Sequence, residues 1–328
     1  MAAAAVGGDG QGRGESPLIP LLVVCGPTAS GKTGLAVELA RRFDGEVISA
    51  DSMQVYRHMA IGTAKPTAEE TAGIPHHLID VLEPDETFSV ADYVERAGAC
   101  IRQVRERGRL PIVAGGTGLY ISSLLDGIRF APMEQDPALR AELESFAAEH
   151  GNEALWEQLQ ACDPELAAQL HPNNRGRVIR ALEVYRLTGK PMSLHQAEAR
   201  SQPSAYDALV LGITFRDRER LYERINRRVD DMLRQGLVEE AAQVRERYGK
   251  TAAQAIGYKE LEPWFRGECS LEAAAERIKM ETRRYAKRQL TWFRRDKRVR
   301  WLCADEAADV GQLADAATPW IQEKQWNE

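Results

Sequence analysis

Residues 26–33 read GPTASGKT, a glycine and four residues followed by Gly-Lys-Thr. Each residue type in that octet suits a phosphate. Gly26 and Gly31 let the backbone curl at positive φ, so that loop N–H groups and the dipole of the following helix face one anion. Lys32 adds a point charge that reaches an outer phosphate, and the Thr33 hydroxyl is a natural ligand for Mg²⁺. The phosphate-binding stretch is thus Gly26, Pro27, Thr28, Ala29, Ser30, Gly31, Lys32 and Thr33. A loop of this kind is not yet a reaction. A second acid at a strand end usually completes such sites, and Asp51, after EVISA, stands where that acid is expected.

The second chemical signal is charge. The chain of 328 residues has a net charge of −6, yet residues 277–300 carry eleven Lys or Arg against Glu281 and Asp296. Tyr285, Trp292 and Phe293 are interleaved with them. A basic, aromatic segment on an acidic protein reads as a polyanion site, with Lys287 and Arg288 at its centre; a solvated helix face is the plainer alternative.

The elements that must position these residues follow from periodicity. LLVVCG is an apolar, valine-rich run that reads as a buried parallel strand, and TGLAVELARRF has helical spacing. EVISA, LPIVAGG and YDALVLGITF repeat the strand pattern, and RERLYERINRRVDDMLRQG reads as a long helix. Alternating strands and helices predict a parallel α/β sheet with ligands at the carboxyl ends of its strands. Between about 126 and 200 the pattern is helical with almost no strand grammar, so a helical insertion is expected inside the α/β core.

The expected domains are a disordered tail over 1–17, a core over 18–128 and 201–305 that ends in basic helices, an insertion over 129–200, and a C-terminal tail over 306–328. No apolar run reaches eighteen residues, which argues against a membrane span. The Gly-rich start lacks a signal-peptide core. Cys25, Cys100, Cys162, Cys269 and Cys303 form no C-x-x-C pair, so reduced, mostly buried thiols in a cytoplasmic protein are expected. His76 and His77 form a tempting metal pair, but neighbouring side chains diverge, so packing and capping roles are expected.

Six blocks in order, DSMQVYRHMAIGTAKP, GIPHHLIDVLEP, GGTGLY, NRGRVIRALEVY, AIGYKE and TRRYAKRQLTWFR, resemble the bacterial tRNA dimethylallyltransferase family. The resemblance spans about 20 to 300 and implies a P-loop NTPase-like parallel-sheet core with a helical insertion domain. It implies an enzyme that moves a dimethylallyl group from dimethylallyl diphosphate to the exocyclic amine of the adenosine next to the anticodon, in tRNAs reading codons that start with U. The partners so implied are the anticodon stem-loop and the donor, with Mg²⁺ as cofactor and no obligate protein partner.

The resemblance also assigns residues. The loop would hold the donor's diphosphate, Thr28 would contact its bridging oxygen, and Arg228 would clamp it, with Arg224 one turn earlier as a weaker candidate. The amine must lose a proton as it attacks, so Asp51 is expected as the base. Asp51, Ser52, Met53 and Gln54, the channel residues Thr117 and Arg140, and Gly176, Arg177, Val178, Ile179 and Arg180 match segments that touch tRNA. Gln54 is expected to reach a base edge, with an exposed glutamine as the default. Thr117 alternatively caps the helix after it. Two positions depart from the family pattern: His58 replaces a usual glycine, and Gly176 replaces a usual Gln or Arg. A small-molecule or nucleotide kinase, an adenylate prenyltransferase acting on free nucleotides, and a non-catalytic RNA-binding module remain the alternatives.

Overall fold

The computed structural model describes residues 18–128, 136–199, 203–248 and 255–326. The predicted tail over 1–17, and the junctions at 129–135 and 200–202 where the insertion was expected to begin and end, lie outside the described residues.

The chain runs β1 (Ile19–Cys25), α1 (Lys32–Arg42), β2 (Gly45–Ser49), α2 (Ala68–Thr71), β3 (His76–His77), α3 (Val90–Glu106), β4 (Leu110–Gly115) and α4 (Gly118–Leu125). Four helices follow, α5 (Pro137–Cys162), α6 (Pro164–Ala167), α7 (Arg175–Thr188) and α8 (Met192–Ala199). The sheet resumes with β5 (Tyr206–Thr214), then α9 (Arg218–Arg234), α10 (Leu237–Arg247), α11 (Glu262–Phe265), α12 (Leu271–Phe293), β6 (Val299–Cys303) and α13 (Val310–Gln322).

All six strands are parallel, in the order β3-β2-β4-β1-β5-β6. β1 is central, and Leu21, Leu22, Val23, Val24 and Cys25 are fully buried because helices cover both faces. One face packs on α3 and α4 through Tyr93, Ile101 and Leu124, the other on α1 and α13 through Leu35, Leu39 and Leu313. Strand β1 therefore delivers the glycine loop to the carboxyl edge of the sheet, with β2 and β4 delivering Asp51 and Thr117 to the same edge.

Three expectations need correction. The segment over 306–328, read as a tail, contains α13, whose Leu313, Ala314, Ala317 and Ile321 are buried against α1. Its apolar spacing outweighs Pro319, which sits inside the helix. Strands β3 and β6 complete the sheet's edges although neither was expected; β6 lies within the charged run after α12, so that run is a helix, a turn and a strand. The five cysteines are free, but only Cys25 is buried and the other four are half-buried.

The described residues of 136–199 are helical and keep an apolar interior of their own, built around Leu143, Leu155, Leu159, Val178 and Leu182. Gly151, at φ 90°, breaks α5 into two stretches.

Candidate active site

The glycine loop closes on itself through the Ser30 N–H donating to the Pro27 carbonyl. Gly31 stands at the N-cap of α1 with φ 94°, a left-handed turn that glycine adopts without strain. The Ser30 hydroxyl is buried inside the loop with no hydrogen-bond partner among the described residues. An orphaned buried donor is costly, so this hydroxyl is poised for an anion oxygen. Lys32 folds back and donates to the Pro27 carbonyl at 2.6 Å. Burial, then the nearby Arg228 guanidinium, pull its ammonium down to about 8, while Asp51 pulls the other way. Arg228 is itself lowered by burial and supported by Asp51. Two cations and one carboxylate thus share a confined space, a net positive site awaiting an anion.

Arg224 is more engaged than a weaker candidate should be. Its Nε donates to the Ala29 carbonyl at 2.9 Å and latches α9 onto the loop. Thr33 sits half-buried in the first turn of α1.

Asp51 follows β2 and folds into a turn: its Oδ1 accepts the N–H groups of Met53 at 2.9 Å and Gln54 at 3.3 Å. Its other oxygen has no hydrogen-bond partner among the described residues. Asp51, Ser52 and Met53 line a cleft of about 320 Å³ together with Thr28, Arg228 and Arg288. Ile225, Val229, Met232, Ile256 and Ile278 supply an apolar wall to the same cleft. Tyr285 closes it, its phenol pushed up to about 12, chiefly by burial and then by Asp51. A larger cavity of about 540 Å³, beside Arg245, Phe265 and Arg277, holds none of the expected site residues.

Thr117 occupies the N-cap position of α4, but its side chain does not cap. Its hydroxyl instead accepts the Ser52 N–H at 3.1 Å, which fixes the turn carrying Asp51. Gln54 is not available to read a base. Its amide donates to the Thr63 and Ala64 carbonyls and its oxygen accepts from Ser49, so it ties the loop after β2 to that strand. His58, at φ 61°, holds a left-handed conformation that favours glycine, and its ring stacks 5.9 Å from Tyr248. His77 pairs with Glu46 at 2.7 Å and His76 bonds the Ile74 carbonyl at 2.8 Å, so both sit in the sheet-edge network. No cluster of three metal-ligating side chains occurs among the described residues.

In the helical unit, Gly176 and Arg177 are exposed in the first turn of α7. Val178 and Ile179 are not candidates for RNA contact through their side chains, which are buried in the unit's interior. Arg180 pairs at 2.7 Å with Glu183, a carboxylate with no exposure, and Arg140 lies 3.8 Å from the same oxygen. The two arginines therefore share one buried anchor. On α12, Lys287 and Arg288 are exposed, and Arg288 lies over the Tyr285 ring at 5.6 Å. The basic run is narrower than its count suggests, because Lys279, Arg284, Arg298 and Arg300 are neutralised by acidic neighbours.

One residue of the site was not anticipated. Gln289, buried on α12, accepts the Thr28 N–H at 2.8 Å and donates to the Gly116 carbonyl at 2.9 Å. A glutamine among lysines and arginines looks solvent-facing; only its place four residues before buried Phe293 on the inner face of α12 distinguishes it.

The IPP transferase family model matches residues 54–296. The tRNA dimethylallyltransferase of Acetivibrio thermocellus is 53% identical over 289 residues, 87% of this chain and 92% of the relative. That of Caldanaerobacter subterraneus subsp. tengcongensis is 49% identical over 303 residues, 90% and 96% respectively. Among solved structures, the full-length tRNA isopentenylpyrophosphate transferase of Bacillus halodurans is similar with a TM-score of 0.69 at 45% identity, covering 94% of this chain and 98% of that one. A eukaryotic dimethylallyltransferase acting on tRNA gives a TM-score of 0.74 at 33% identity, over 87% of this chain and 74% of that one.

Proposed function

The chain belongs to the IPP transferase family, an enzyme family of the prenyltransferase type, and we propose from that premise that it dimethylallylates tRNA. The donor is dimethylallyl diphosphate, and the acceptor is the exocyclic amine of the adenosine next to the anticodon, in tRNAs reading codons that start with U. One observation carries this reading: an anion-seeking loop, a carboxylate and a basic, aromatic helix face meet at a single cleft with an apolar wall.

The loop amides, Lys32 and Arg228 hold the diphosphate, with Arg224 bracing the loop from behind. Their charge counts most as the carbon–oxygen bond breaks and the leaving group gains charge. Thr28 contacts the bridging oxygen, and the Ser30 hydroxyl fills its empty valence on a phosphate. The apolar wall of Ile225, Val229 and Met232 takes the five-carbon tail. Asp51 accepts the amine proton through the oxygen that its own turn leaves free.

A Mg²⁺ ion fits the donor set. The Thr33 hydroxyl is a hard oxygen ligand, and with no acidic cage among the described residues the ion would take its other ligands from the diphosphate and water. When bound, it supplies further charge to the leaving group. An acceptor adenosine stacked in an RNA loop must be extruded to reach the cleft. Lys287 and Arg288 then hold stem phosphates, while Arg140, Arg177 and Arg180 grip the loop from the helical unit. No described helix is long and apolar enough to cross a membrane, and a cytoplasmic location suits a tRNA acceptor.

The test is a label transfer. Labelled dimethylallyl diphosphate and Mg²⁺ are incubated with an anticodon stem-loop or with free AMP. Label on the stem-loop with release of pyrophosphate is expected. Label on AMP alone, or no pyrophosphate, overturns the proposal.

A further inference from the structure

Gln289 lies where the donor loop, the loop after β4 and the basic helix meet. Its carboxamide oxygen accepts the Thr28 N–H and its nitrogen donates to the Gly116 carbonyl. The two partners fix its orientation, because Thr28 N–H can only donate and Gly116 C=O can only accept. The residue is 6 % exposed, so both bonds lie away from bulk water, where leaving either partner unpaired is costly. The fit is close as well: a Cβ at Gly116 would stand 2.1 Å from Gln289 Nε2, so glycine at 116 makes room for this amide.

The bonds continue on both sides. From Gly116 the chain passes to Thr117, whose hydroxyl holds the Ser52 N–H and with it the Asp51 turn. One turn back on α12, Tyr285 lines the same cleft as Asp51, and Arg288 covers its ring. A continuous path therefore runs from the loop around the diphosphate, through one buried amide, to the acceptor carboxylate and to the helix that meets RNA.

We propose that Gln289 is a positioning residue that locks the donor loop to the acceptor loop, so that donor and RNA strengthen each other's binding through α12. This rests on the functional reading above, but it makes a claim that reading does not need. Without the amide bridge both ligands still bind, each to its own groups, but their relative placement is lost. By reciprocity the factor by which pyrophosphate tightens RNA equals the factor by which RNA tightens pyrophosphate.

The experiment is a four-way titration by calorimetry. Pyrophosphate with Mg²⁺ probes the donor site, and an unmodified anticodon stem-loop with an A-rich loop probes the RNA site, each titrated alone and with the other saturating. Wild type is expected to show coupling of roughly fivefold or more, as in typical linked sites. In Gln289→Met and Gln289→Glu, each ligand alone should bind within about twofold of wild type while the coupling falls toward one. Glu keeps the acceptor for Thr28 but turns a second oxygen on Gly116. In turnover, each KM measured with the other substrate saturating should rise by about the lost coupling factor while the affinity for each ligand alone stays near wild type, a pattern that general loosening of the fold does not produce. Wild-type coupling near one overturns the proposal without any variant. So does unchanged coupling in either variant that shows a wild-type melting transition. Failure of wild type to label the stem-loop would instead remove the functional reading, so the two failures are distinguishable.

Discussion

Lys32 makes the donor site an alkaline titration. Burial, and then Arg228, bring its ammonium to about 8 from an ordinary 10.5. A bound diphosphate reverses the imbalance, because it sets negative charge against both cations. The empty site therefore holds a charged Lys32 in about nine molecules of ten at pH 7 and about one of eleven at pH 9. Binding above pH 8 must first take up a proton, so donor affinity should weaken about tenfold between pH 7 and pH 9. The same group acts on folding with the opposite sign. Between about 8 and 10.5 the unfolded chain holds a proton that the folded chain lacks, so this lysine's contribution to stability rises with pH while donor affinity falls. Calorimetry of pyrophosphate with Mg²⁺, in two buffers of different ionisation enthalpy, reads affinity and proton uptake together. Lys32→Met serves as the control that subtracts the ligand's own ionisation. An affinity that holds within about twofold to pH 9 after this subtraction, or a control with the wild-type slope, would refute the reasoning.

Asp51→Asn should leave pyrophosphate and stem-loop binding within a few-fold and lower kcat by on the order of 10² to 10⁴, the usual worth of a positioned base; single-turnover kinetics decides it, and an unchanged rate removes Asp51 from that role. Leu313→Ala, in α13, should cost about 2–5 kcal/mol in urea unfolding because it empties a site packed against α1; a cost near zero would restore the tail reading of that segment. Lys287→Ala should weaken stem-loop binding and flatten the log–log salt dependence by about 0.7–0.9. A parallel shift with no change of slope would mean that Lys287 touches no phosphate.

The central strands were legible because burial on both faces writes itself as unbroken apolar runs such as LLVV. The glycine octet was legible because backbone curvature, charge and hydroxyl must come in one order. Other parts left weaker traces. β3 is two histidines whose strand pairing is set by β2, not by their own composition. β6 is VRWLC, a short run apolar but for Arg300 that the surrounding arginines conceal. Val178 and Ile179 carried a readable warning, since apolar neighbours in a helical period point inward. Gln54 carried none and Gln289 only its helical spacing to Phe293, because the same side chain is a surface residue elsewhere and only the folded chain brings Thr63, Thr28 and Gly116 to them.

The separate interior of the four helices between α4 and β5 has an architectural consequence. The sheet's strand order is complete without that excursion, since β4 and β5 both pair directly with β1. Exchanging or resizing such a cassette disturbs no ladder, and lengthening its tethers costs only a slowly growing closure entropy, about 0.6 kcal/mol per doubling. If the helical unit grips RNA as proposed, RNA preference and bond-making chemistry can drift independently in one chain: the grip is retailored while the reaction vessel stays as cast.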